Sequence, residues 1–133
     1  MNQVVVKQEK SGYQIVEAYK SLRTNLQFCG EDKKVIAITS CTPNEGKSSV
    51  SMQLGISLAE IGKRVILIDA DLRKSILLGR TKTEKSVRGL AHFLSGQASL
   101  EDVICATNIK NFYMIYSGPV SYTHLRAHET RSN

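Results

Sequence analysis

An α/β architecture, a parallel sheet flanked by helices, is the fold class this sequence predicts, and three observations carry the prediction. Val35-Ile36-Ala37-Ile38 and Val65-Ile66-Leu67-Ile68 are continuous aliphatic runs, not alternating ones, as expected of strands covered on both faces. Between them Val50, Leu54, Leu58 and Ile61 recur at helical spacing. Strand, helix, strand in that order reads as a βαβ unit.

Taken from the N-terminus, residues 1–12 are largely polar apart from Val4-Val5-Val6 and read as a flexible arm. Ile15, Tyr19, Leu22 and Leu26 then mark an amphipathic helix over residues 13–28, a stretch without Gly or Pro, and Gly30 is a suitable stop. The strand at residues 35–38 runs into a Ser, Thr and Pro cluster, the sign of a loop. The next helix is closed by Gly62, and the second aliphatic strand follows. Beyond Arg73 polar residues dominate until Leu90, Phe93 and Leu94, which with Leu100, Val103 and Ile104 predict two short helices; Gly89 and Gly96 bracket the first. Phe112-Tyr113-Met114-Ile115 is a third strand, ended by Ser117-Gly118-Pro119. About three strands make an incomplete sheet, and residues 13–119 form the recognisable domain.

Composition narrows the function classes. With 41% hydrophobic and 23% charged residues in 133, one globular domain is expected. No apolar run approaches the ~18 residues of a membrane span, and no signal-peptide pattern opens the chain, so a cytosolic location is expected. The net charge of +6 is dispersed, without the aromatic interleaving of single-strand binders, and no nucleic-acid partner is inferred. Cys29, Cys41 and Cys105 are odd in number and lack metal-ligand spacing, which argues against a disulfide framework or a zinc site. Residues 120–133 differ in character: the stretch from Val120 to Thr130 resembles one reading frame of a transposase-type sequencing adaptor and is expected to be non-native. His124 and His128 lie in it and lack the Glu that a metalloprotease motif requires.

The chemistry is concentrated in two places. Cys41-Thr42-Pro43-Asn44-Glu45-Gly46-Lys47-Ser48 lies between the first strand and its helix, where backbone amides and a helix N-terminus can wrap phosphates. Lys47 can reach the β and γ phosphates and Ser48 can ligate magnesium. This is a P-loop pattern with one departure, because Cys41 stands where Gly opens the general motif, and a positive φ there would carry a steric cost. The second place is Asp69-Ala70-Asp71-Leu72-Arg73. Its two carboxylates lie at the carboxyl end of a strand, where ligands bind in such sheets, and can reach a magnesium-nucleotide centre directly or through water.

These two segments resemble the bacterial tyrosine kinases that pair with a membrane-bound polysaccharide co-polymerase. Residues 40–49 are similar to that family's Walker A loop, and residues 65–74 to its second motif, three aliphatics followed by Asp-x-Asp-x-Arg. The stretches at residues 17–25 and 89–96 agree as well. The resemblance implies a P-loop NTPase-type sheet and an ATP-dependent protein tyrosine autokinase that regulates capsule or exopolysaccharide synthesis and export. It implies ATP and Mg2+ as cofactors, with Lys47, Asp69 and Asp71 catalytic, and Ser48, Asp69 and Asp71 at the metal. Pro43, Asn44, Glu45, Gly46, Lys47, Ser48, Ser49 and Arg73 would surround the nucleotide. Glu17, Lys20 and Arg23 match a Glu-x-x-Arg-x-x-Arg motif for ring contacts, with Lys20 in place of the middle Arg, which keeps the charge and loses the planar fork. The implied partners are a transmembrane activator and further copies of the chain in a ring, at the inner face of the plasma membrane. The family's third motif and tyrosine-rich tail have no counterpart here. Tyr13, Tyr19, Tyr113, Tyr116 and Tyr122 are scattered, and the chain as given is expected to be deficient in kinase activity.

Other functions stay open. A partition or septum-site ATPase shares the architecture, but its early signature lysine falls on Thr42. A non-catalytic nucleotide-dependent assembly module would carry the same loop. A dinucleotide-binding domain would need a Gly-x-Gly-x-x-Gly turn after the first strand, which is absent.

Overall fold

The computed structural model describes residues 1–7, 13–30, 32, 34–39, 47–70, 81–82 and 87–118, with residues 13, 14, 47–49, 81 and 82 described at the backbone. In chain order the elements are β1 (Asn2–Val6), α1 (Tyr13–Phe28), α2 (Lys47–Glu60), β2 (Val65–Ile68), β3 (Thr81–Lys82), α3 (Leu90–Leu94), α4 (Leu100–Val103), β4 (Cys105–Thr107) and β5 (Phe112–Ile115). The strands form a sheet in the order β2-β5-β4-β1-β3.

The α/β class is as predicted, and the sheet is mixed. β2 pairs with β5 in parallel, Val65 opposite Phe112 and Ile68 opposite Ile115. β1 pairs with β4 in parallel, whereas β4 and β5 are antiparallel neighbours. The tight connection between those two explains the antiparallel step. Asn111 adopts φ 67 there, and the Thr107 hydroxyl donates to Phe112 O at 2.7 Å and accepts from Ile109 N at 3.1 Å.

Three sequence expectations need correction. Residues 2–6 are not a loose arm: Val4 and Val6 are buried in the core, and Val6 N donates to Asn108 Oδ1 at 2.7 Å. Their partner lies a hundred residues away, so no local pattern announces it. Residues 35–38 are not a strand. Val35 is 92% exposed, and residues 35–38 pair with no described strand, although β2 at the end of the sheet has β5 as a neighbour on one edge only; aliphatic composition makes a strand only where the chain pairs. Finally, of the predicted α2 face through Val50, Leu54, Leu58 and Ile61, Leu54 is buried, Val50 and Leu58 are half-buried and Ile61 is exposed. Met52, Ile56 and Ala59 enter the core with Val4, Val6, Val87, Cys105, Phe112, Met114 and Tyr116. α2 is apolar around much of its circumference, so spacing alone selects no face.

Other boundaries fall where the sequence puts them. α1 spans Tyr13–Phe28, though Ile15 and Leu22 of its expected apolar stripe are exposed, since α1 packs chiefly on α2. Gly62 ends α2 with φ 90, its amide bonding Ala59 O and that of Lys63 bonding Leu58 O, a Schellman stop that favours glycine. No helix among the described residues is long and apolar enough to cross a membrane.

Candidate nucleotide site

α2 turns back through residues 61–64 into β2 and packs on it. Helix and strand therefore run in opposite senses, and the first turn of α2 falls at the same end of the layer as the end of β2. Lys47, Ser48 and Ser49 form that first turn. Its amides have no partners within the helix, and the helix dipole adds positive partial charge there.

Asp69 is the first residue past β2. Its side chain is largely enclosed, the residue being 7% exposed, and its amide donates to Ile115 O at 3.0 Å, extending the β2–β5 ladder by one bond. The following carbonyls of the β5 segment hold α3: Leu90 N bonds Tyr116 O at 2.6 Å and Ala91 N bonds Ser117 O at 3.0 Å. Tyr116 and Ser117 are buried. One short stretch of chain thus secures Asp69 on one side and α3 on the other. His92 completes that start of α3, its Nδ1 accepting from Gly89 N at 3.1 Å.

The height of α2 above the sheet is set by Gly55. A Cβ there would lie 2.7 Å from Phe112 Cε1 and 3.5 Å from Val65 Cγ1, so the helix rests directly on β5 and β2. An isolated Gly within a helical pattern is the signal that could have announced this close approach.

Of the expected site residues, the topology gathers the backbone of Lys47, Ser48 and Ser49 and the carboxylate of Asp69 at one end of the layer. Pro43, Asn44, Glu45, Gly46, Asp71 and Arg73 lie outside the described residues, as does Cys41. The three residues expected at a subunit contact separate. Glu17 and Lys20 pair with one another at 3.7 Å, each side chain about half exposed. Arg23 turns to α2, with Nη1 donating to Ser57 O at 3.0 Å and lying 3.9 Å from Glu60 Oε2. Ser57 and Glu60 were not singled out from sequence, because spacing along α1 gives a face and not the partner opposite it.

The profile of the AAA domain family matches residues 33–126. Among curated proteins, the tyrosine-protein kinase CpsD of Streptococcus agalactiae is 44% identical over 104 residues, 78% of this chain and 45% of that protein. Among solved structures, the BceF tyrosine kinase domain is 40% identical with a TM-score of 0.68, covering 77% of this chain and 41% of that one. The kinase domain of the Escherichia coli tyrosine kinase ETK is 32% identical with a TM-score of 0.68, covering 84% and 44%. The chain thus spans about half the length of the curated relatives it matches. With its phosphate-loop pattern and the helix and strand beside it inside the matched span, the chain is similar to bacterial tyrosine-protein kinases over more than three quarters of its length and belongs to the AAA domain family.

Proposed function

We propose that this chain is the nucleotide-binding part of a bacterial protein tyrosine kinase of the capsule and exopolysaccharide type, with ATP and Mg2+ as cofactors. The observation that supports it most is the shared end of α2 and β2, where the first turn of a helix faces the same side as the enclosed Asp69. That arrangement falls within a stretch 44% identical to a tyrosine-protein kinase.

The donor chemistry fits the group. Amides at a helix start suit phosphate oxygens, and carboxylate with hydroxyl oxygens suits magnesium. Lys47 and Ser49, with Pro43, Asn44, Glu45 and Gly46, would hold the phosphates; Ser48, Asp69 and Asp71 would hold the metal; Arg73 would lie beside them. Bound MgATP supplies the phosphoryl group and offsets charge on its oxygens. The acceptor phenol ordinarily ionises at about pH 10, so a carboxylate beside the metal is a suitable proton acceptor, and by the family resemblance Asp69 is assigned that task. A relative named as a tyrosine-protein kinase in a cps region is in keeping with a polysaccharide co-polymerase at the membrane as partner, and the motif at Glu17, Lys20 and Arg23 is what suggests further copies of the chain in a ring. Because the chain spans 45% of such a relative, the 133 residues alone are expected to transfer phosphate poorly.

Calorimetric titration of the full-length protein tests the reading. Lys47→Met should abolish MgATP binding, and unchanged affinity would sink the assignment. Asp69→Asn should lower autophosphorylation far more than binding, since a proton acceptor acts mainly in the chemical step. Parallel losses would make it a ground-state ligand.

A further inference from the structure

Arg23 reaches the end of α2 opposite the proposed phosphate site. Its Nη1 donates to Ser57 O at 3.0 Å and contacts Ser57 Oγ at 3.3 Å, with Glu60 Oε2 at 3.9 Å. The guanidinium is well covered, its side chain 16% exposed, and Ser57 is buried. Ser57 O is one of the last four carbonyls of α2, where a helix has fewest internal partners. A cation there also complements the negative end of the helix dipole.

The two sides of α2 are held differently. Towards the sheet, Met52, Ile56 and Ala59 enter the core, and Gly55 sets the distance to Phe112. On its other side lies α1, and Arg23 supplies polar bonds from α1 to α2. A 14-residue helix moves as a rigid rod, so a shift at one end is transmitted to the other.

We propose that Arg23 is a positioning residue: by seating the C-terminal end of α2 against α1, it fixes the setting of the helix's first turn and with it the affinity for a nucleoside triphosphate. The proposal rests on the nucleotide reading above. Its reach differs from the subunit contact that the sequence motif implies, because Arg23 is engaged within its own chain while Glu17 and Lys20 pair on the exposed side of α1. All three Arg23 contacts use one nitrogen, not the guanidinium fork, so an ammonium with three donors can replace it.

The test is MgATP titration of the full-length protein at concentrations where light scattering gives a monomer, together with amide exchange at Ile61, Gly62 and Lys63. Arg23→Ala should weaken MgATP binding about fivefold and speed exchange at those amides. Arg23→Lys should restore most of both, and Glu17→Ala combined with Lys20→Ala should change neither. Faster exchange with unchanged affinity would reduce Arg23 to a stabilising contact and overturn the proposal. An equal affinity loss in the Glu17 and Lys20 variant, or no rescue by lysine, would overturn it as well. If the parent itself binds no MgATP, the nucleotide reading falls separately. The exchange comparison then decides whether Arg23 seats α2, parent-like exchange in Arg23→Ala refuting it and faster exchange supporting it.

Discussion

The hairpin side of the molecule and the α1 side use similar aliphatic residues and pack them very differently. Around β4 and β5, Val103, Cys105, Phe112, Met114 and Tyr116 are almost wholly enclosed, and Thr107 and Asn108 satisfy backbone groups of the turn and of β1. On the α1 side Phe28 is 84% exposed, and on the face of β2 turned away from α2 Ile66 and Ile68 are each about half exposed. Hydrophobic sequence is therefore not the variable that separates them. What differs is whether a second layer of described residues lies across the apolar face, and an open face of this kind favours association.

Paired substitutions can break this comparison. Phe112→Ala should cost about 3–5 kcal/mol in denaturant unfolding, the usual range for emptying a packed aromatic site. Ile66→Thr should stay within about 0.5 kcal/mol while reducing self-association in light scattering. Equal costs for the two would mean that the β2 face is covered in solution.

The thiols sharpen it. Burial pushes the Cys105 thiol up to about 11, which lowers its thiolate fraction about a hundredfold, whereas Cys29 is exposed. Alkylation at neutral pH, read by peptide mass, should modify Cys29 in the native protein and Cys105 only on unfolding. Fast native labelling of Cys105 would show that the hairpin side opens readily.

The smallest effect expected is at Asp102, where the Ser99 amide and then the Ser99 hydroxyl hold the carboxyl below its ordinary value. A depressed carboxylate stabilises the fold above its unfolded-state pKa, and the contribution fades as pH falls through the lowered folded-state value. Asp102→Asn should therefore flatten the acid side of a stability-against-pH curve slightly. A variant curve matching the parent's would remove the cap from the account of α4.

Much of the frame was legible because it is local. The limits of α1, the stop at Gly62, the strands β2 and β5, and the two short helices each follow from residues within a turn or two. β1 was not, since Val4-Val5-Val6 becomes a strand by pairing with β4, with Asn2 opposite Cys105. Residues 35–38 fail in the opposite sense, having strand composition while pairing with none of the described strands. For the site, the position of Asp69 followed from strand β2 ending just before it. The inward turn of Arg23 did not, because it depends on which helix lies opposite α1.

The contact between Gly89 and Gly118 makes tolerance to change non-reciprocal. A Cβ added at Gly89 would collide with the amide and carbonyl of Gly118, while one added at Gly118 would meet nothing within 4 Å among the described residues. Two glycines that touch are thus unequal: Gly89 has no room for any side chain, and Gly118 has room for one. Because Leu90 N is fastened to Tyr116 O and Asp69 N to Ile115 O, a residue forced in at Gly89 would displace the strand end that carries Asp69. Among natural variants, drift is expected at 118 and not at 89.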